Sequence, residues 1–177
     1  MFQSDLALAT ASFNPLYCCS LNSDDKIDPL IALTSSRAHG GTLVFWKRNL
    51  DPFVTIFDVT SSRILVFLLN VPGYPMTVHI SIYLPTSGLE NEFVEELSNL
   101  EVAIEELTEK YPSASFFIRG DANSSVHPRS GNKRDFLFSF FCDKLGLKSS
   151  EIGHPTYHHF IGHTSSSIDV ILQKNKH

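Results

Sequence analysis

Cysteine is scarce in this 177-residue chain, and the three present, Cys18, Cys19 and Cys142, form neither an even set nor a CxxC motif. That excludes a disulfide-stapled fold, and free thiols in a reducing compartment imply an intracellular protein. Long apolar runs are missing as well. The longest clean one, Ile64 to Leu69, is strand-sized, far short of the roughly 20 residues of a membrane helix, so no membrane partner is expected. The opening MFQSDLALATA has an Ala/Leu patch with no basic residue ahead of it and an aspartate inside it, which is not the pattern of a secretory signal. No glutamate precedes Glu90.

Charge is modest, at 19% of residues with a net charge of −5, and taken in bulk it argues against a nucleic-acid partner. Its distribution changes that reading. Residues 87–111 hold eight Glu and one Lys, whereas the stretch after Tyr111 has eight basic residues against five acidic. A neutral or mildly positive face is therefore available outside one acidic segment.

What is present is 42% hydrophobic residues, enough for one globular domain with a substantial core. Residues 1–39 are the least readable part, rich in Ser, Asn and Asp, and are expected to be mostly irregular apart from a short element near Asp5 to Ala11. From residue 40 to 177 the chain reads as one domain continuous with that segment. GGTLVFWKR, FVTIFDVTS, RILVFLLNV and MTVHISIYLP are β-branched or aromatic and bounded by Pro, Gly, Asn or Ser, which predicts four consecutive strands. Ser87 opens a capping-box pattern, S-G-L-E, and Phe93, Leu97, Leu100, Ile104, Leu107 and Tyr111 follow at helical spacing. Those residues form one apolar stripe, with the glutamates facing water and Pro112 ending the helix. ASFFIR is a further strand. GNKRDFLFSFFCDKLGL is a second helix expected to turn Phe136, Phe140, Phe141 and Leu145 inward before Gly146. PTYHHFIG and SSIDVIL close the chain as strands, and the whole pattern fits an α+β or α/β layered sandwich better than a doubly wound sheet, because the strands come in hairpin-like runs.

Three stretches carry chemistry. In SFFIRGDAN an apolar strand runs into Asp121 and Asn123. A carboxylate there can orient or deprotonate a water, and a carboxamide two residues on can bond a phosphate oxygen; the same spacing also makes a plain Asx-turn. In SSIDVIL, Asp169 interrupts an apolar strand, where it needs a partner, either a histidine or a structural hydrogen bond. In ISIYLPTSG, Tyr83 ends a buried strand, where its phenol can donate to an anionic oxygen or simply pack. His154, His158, His159 and His163 have spacings of four and five that invite a zinc reading. With no cysteine nearby they are better read as surface histidines.

Taken in order, GGTLVFW, ISIYLPTSG, IRGDAN, PTYHHF and SSIDVIL resemble the endonuclease/exonuclease/phosphatase superfamily. They are most similar to the apurinic-type endonuclease domain of LINE (non-long-terminal-repeat) retrotransposons, and the resemblance covers residues 40 to 172. It implies a four-layer sandwich, two packed mixed β-sheets flanked by helices, and Mg²⁺-dependent nicking of DNA that leaves a 3′ hydroxyl to prime reverse transcription. A fused or associated reverse transcriptase and a nuclear location are implied with it. On that pattern Asp121 aligns the attacking water, Asn123 and Tyr83 hold the phosphate, and Asp169 supports a histidine. Thr156 contacts the DNA near the cut, and Asn132, ahead of Lys133 and Arg134, joins it among the substrate-binding residues.

The chain departs from that family in two places. The family's chief metal ligand, a glutamate in a Q-E pattern near the N-terminus, has no counterpart, and no Ser-Asp-His follows Asp169. The expectation is a domain truncated at both ends, with unpaired sheet edges, no assigned metal ligand, and weak or no nuclease activity. The alternatives are a non-catalytic remnant that binds DNA or another partner, and an inositol-phosphatase or sphingomyelinase-type member of the same superfamily.

Overall fold

A computed structural model describes residues 16–22, 41–86, 88–150, 155–158 and 165–174. The expected element near Asp5 to Ala11, Ser87, and three of the four histidines (His154, His159, His163) lie outside the described residues.

The strands are β1 (Tyr17–Asn22), β2 (Thr42–Lys47), β3 (Val54–Phe57), β4 (Ile64–Leu69), β5 (Thr77–Tyr83), β6 (Ser115–Asp121), β7 (Lys148–Ser149), β8 (Tyr157–His158), β9 (Ser165–Ser166) and β10 (Asp169–Lys174). Two helices, α1 (Glu90–Lys110) and α2 (Lys133–Leu145), follow β5 and β6. A six-stranded sheet runs in the order β3-β4-β5-β6-β10-β7, beside two-stranded sheets β1-β2 and β8-β9. Within the large sheet β5 and β6 are parallel, joined by the α1 crossover, and the other neighbours are antiparallel. The large sheet is thus mixed and helix-flanked, as the family resemblance implies, while the β1-β2 and β8-β9 sheets are antiparallel.

Strand alternation divides the large sheet into two faces. Ile64, Val66, Leu68, Val78, Ile80, Ile82, Phe116, Ile118, Val170 and Leu172 join the helix side chains Phe93, Leu97, Leu100, Ile104 and Phe138 in one core. On the opposite face Phe67 stacks on His79 at 4.8 Å, and His79 on Phe117 at 5.4 Å. Trp46 of β2 lies over Phe67 at 6.4 Å, which brings the β1-β2 ribbon onto this side. Asn22 ties the ribbon down by donating to the carbonyls of Ser61 and Ile64 at 2.7 and 2.8 Å. Burial, reinforced by the charge of Arg119, holds the His79 imidazole down to about 4, so this aromatic ladder is neutral at physiological pH.

Strand β1 falls within the segment whose sequence shows no clear periodicity. All but one of its residues are half-buried, so no alternation marks it. Helix α1 carries the expected stripe. It starts at Glu90, with Leu89 at the N-cap and no side-chain capping bond there, so Glu90 is the first helical residue and not the third that a box opened by Ser87 requires. Its carboxylate accepts from the Gly88 N–H at 3.2 Å instead.

Helix α2 departs from expectation. Phe141 and Leu145 are buried, but Phe136 and Phe140 are 58% and 69% exposed. The inward face is Arg134, Asp135, Phe138, Phe141, Cys142 and Leu145. Aromatic residues surround this helix, so spacing alone leaves its rotation open. Two charged anchors select it: the Arg134 guanidinium sits 4.1 Å over the Phe93 ring and donates to the Thr86 carbonyl at 2.6 Å and to that of Pro85, while Asp135 is fully buried. Arg134 is therefore a buried anchor between the helix start and the loop after β5, with no guanidinium face left for solvent.

Candidate active site

The site residues meet where β5, β6 and β10 end side by side. Tyr83 is the register partner of Asp121 across the parallel pair, and Asp121 is the partner of Asp169 across the antiparallel pair. Register partners on neighbouring strands have Cα atoms about 4.5–5.5 Å apart, so residues far apart in sequence form one row.

Gly120 makes this row possible. Its φ is +137°, and a Cβ there would lie 2.0 Å from the Ile82 carbonyl oxygen. Only glycine lets β6 approach β5 so closely just before Asp121. The strand ends are laced further by the N–H of Leu84 to the Asp121 carbonyl at 2.9 Å and the N–H of Ala122 to the Ile168 carbonyl at 2.8 Å.

The Asp121 carboxyl is pushed up from its ordinary value by burial and by the charge of Asp169, against the opposing hydrogen bond from the Asn123 N–H. That bond, 2.8 Å to Oδ1, is an Asx-turn, and Asn123 adopts φ +46° to close it. The Asn123 side chain also donates from Nδ2 to the Leu84 carbonyl at 2.8 Å. Its second amide N–H and its Oδ1 have no partner among the described residues. Asp169 and Ile171 are exposed while Val170 and Leu172 are buried, the alternation its strand predicts. No histidine bonds Asp169 among the described residues.

Thr156 supports the row from below, its Oγ1 accepting the N–H groups of Ile168 and Asp169 at 3.1 Å each. Asn132 caps α2 by accepting from the N–H groups of Arg134 and Asp135. Its link to the row is indirect, through the helix it starts. Tyr83 has the Arg63 guanidinium 5.7 Å from its ring centroid, and its phenol has no hydrogen-bond partner among the described residues.

Two residues that sequence reasoning passed over shape the loop after Asp121. The buried Asp135 carboxylate accepts from Ser124 Oγ (3.1 Å), the Ser125 N–H (3.0 Å), and the Arg129 N–H, Nε and Nη2 (3.2, 2.6 and 3.1 Å). The signal was an Arg-Asp pair set into an aromatic helix start, where charge has no place unless it is partnered.

The donor chemistry suits a hard divalent cation. Two adjacent carboxylates, one of them raised by burial and by the charge of the other, are relieved by a shared positive charge, and Mg²⁺ is commonly held by one or two carboxylates plus waters. Asp121 and Asp169 are the residues that would hold it. Among the described residues no three His, Cys, Asp or Glu side chains cluster as a larger metal site.

No family model and no curated protein matches this sequence. Solved structures do match the fold. The human Nocturnin catalytic domain with bound sulfate anion is similar at TM-score 0.58 and 11% identity, over 97% of this chain and 64% of that one. The D. rerio TDP2 structure complexed with single strand DNA product is similar at TM-score 0.53 and 12% identity, over 99% of this chain and 68% of that one. A D. rerio TDP2 humanized by 14 mutations gives 0.55 and 13%, over 99% and 68%. The chain thus spans about two thirds of the length of these structures, just under that share for Nocturnin. Nocturnin and TDP2 are endonuclease/exonuclease/phosphatase proteins, and the mixed sheets and flanking helices described above have that fold.

Proposed function

We propose that this chain is an endonuclease-like phosphodiesterase domain of the DNA-nicking kind found in LINE retrotransposons, weakly active or inactive on its own. The observation that carries the proposal is the row Tyr83–Asp121–Asp169 at the ends of three adjacent strands, with the Asp121 carboxyl raised by burial and by Asp169. The DNA product held by the TDP2 structure supports DNA as the substrate.

In this reading Asp121 orients a water and takes its proton as the water oxygen bonds to phosphorus. The bond from phosphorus to the 3′ oxygen breaks, and that oxygen leaves as a hydroxyl after protonation from water. The Tyr83 phenol and the free Asn123 N–H donate to the phosphoryl oxygens, where charge accumulates. Asp121 and Asp169 would hold Mg²⁺, which when bound would supply Lewis acidity to the phosphoryl group. Low activity follows from the small donor set among the described residues, two carboxylates with no histidine bonded to either. Loss of one catalytic group commonly lowers rate by several powers of ten.

A second reading, a non-catalytic DNA-binding domain, is favoured by the hydrogen bonds that already occupy Asn123, one closing the Asx-turn and one tying it to the chain after β5. DNA binding measured against salt, together with Mg²⁺-dependent nicking of supercoiled DNA, tests both. Expected is salt-sensitive binding with slow nicking that Asp121→Ala removes. Binding with no nicking supports the second reading. Rapid nicking refutes the low activity, and absence of binding, or nicking indifferent to Asp121→Ala, overturns the site.

A further inference from the structure

Phe136 and Phe140 stand on the outer side of α2 with the half-exposed Leu137 beside them. Leaving two phenyl rings in water forgoes their burial. The packing does not demand it, since Phe138, Phe141 and Leu145 already fill the core beneath.

The start of the same helix is fastened to both loops of the site. Arg134 grips Pro85 and Thr86, just past Tyr83, and Asp135 grips Ser124 and Ser125, just past Asn123. Asp135 also seats Arg129 through Nε and Nη2. That uses two of the five guanidinium N–H groups and leaves three directed away from the carboxylate, on a side chain 49% exposed. Lys133 is exposed at the first position of α2 and makes no ion pair among the described residues.

We propose that Arg129, Lys133, Phe136 and Phe140 form a track for single-stranded DNA leading away from the row at Tyr83, Asp121 and Asp169. The proposal rests on the DNA-cleaving reading of that row. Arg129 and Lys133 take phosphates, Arg129 with a geometry fixed in advance by its buried partner. The two rings lie four residues apart, about 6 Å along the helix axis, so one strand can lay unpaired bases over both. Base–aromatic stacking of this kind tolerates any sequence. Charge selects nucleic acid as the occupant: the cations flank the rings on the side of the site. The eight glutamates of α1, which adjoins α2 through the Glu101–Lys144 pair, disfavour a phosphate backbone on that helix.

Fluorescence anisotropy with single- and double-stranded oligodeoxynucleotides of one sequence, in EDTA, tests the track on the full chain. The double variant Phe136→Ala/Phe140→Ala, altered only at exposed positions, is expected to lose about 10-fold in single-strand affinity and much less for duplex. Arg129→Gln is expected to lower the slope of log affinity against log salt by about 1. Arg129→Lys keeps that slope yet binds more weakly, because it loses the two-point seat on Asp135. If the wild-type chain binds DNA but the double variant binds single strands as tightly as it does, the track is overturned and the site stands. If light scattering shows a wild-type dimer that the double variant dissolves, the rings belong to a second copy, which also overturns the track. If the wild-type chain binds no DNA, the reading of the site falls and the track with it.

Discussion

Asp121 and Asp135 lie at opposite ends of one loop and are tuned in opposite directions. Burial and Asp169 raise the Asp121 carboxyl above its ordinary 3.8. The folded chain therefore holds that proton more tightly than the unfolded chain does. The associated stability is complete below about pH 3.8 and is lost as pH rises through the raised value. Replacing Asp121 by Asn removes a charge that disfavours folding at neutral pH. Asp121→Asn is thus expected to melt above wild type at neutral pH, with the difference vanishing toward pH 3.8 in a calorimetric pH series. Equal melting at every pH would refute the raised Asp121 carboxyl. Asp135 behaves the other way. Burial raises its carboxyl, but the hydrogen bonds from Arg129, Ser125 and Ser124 outweigh burial and lower it. Its contribution is present above the ordinary range and is lost as pH falls through the lowered value. Asp121, Asn123, Tyr83 and Asp169 were legible as residue types at strand ends. Asp135 was not, because its importance lies in partners that the loop brings to it.

Among the elements, the two helices differ in what their sequences disclose. The stripe of α1 at spacings of three and four admits one rotation, and its members Phe93, Leu100 and Ile104 are fully buried. In α2 aromatic residues occur on every side, and the stretch FLFSFF fits more than one phase. Buried Arg134, stacked on Phe93 and bonded to the loop after β5, settles the phase through contacts with residues more than forty positions away. The consequence is measurable. Phe138→Ala is expected to cost about 3–5 kcal/mol in chemical denaturation, as core phenylalanines do. Phe140→Ala is expected to stay within about 0.5 kcal/mol, as exposed positions do. The reverse order would restore the expected inward Phe140.

For the molecule as a whole, the layers put chemistry at one end of the large sheet and leave strand edges at its sides. Among the described residues β3 and β7 are the outermost strands of that sheet, and β3 presents Ile56, which is 42% exposed. An apolar edge invites pairing with another chain. Ile56→Lys is expected to reduce concentration-dependent association in light scattering while moving the melting temperature by no more than about 2 °C. Association unchanged by this substitution would acquit the β3 edge.

The sequence by itself determined the succession of longer strands and helices from β2 onward, the stripe of α1, and the side-chain types at the strand ends, because periodicity and strand-ending motifs are local properties; β1 and β7 carry no such local signal. Only the tertiary structure decided that Tyr83, Asp121 and Asp169 stand in one row, that Gly120 must be glycine, that α2 turns Phe136 and Phe140 outward, and that Asp135 organises the loop beside the row. Each depends on register, close approach or burial between segments distant along the chain, and no window of sequence contains both partners.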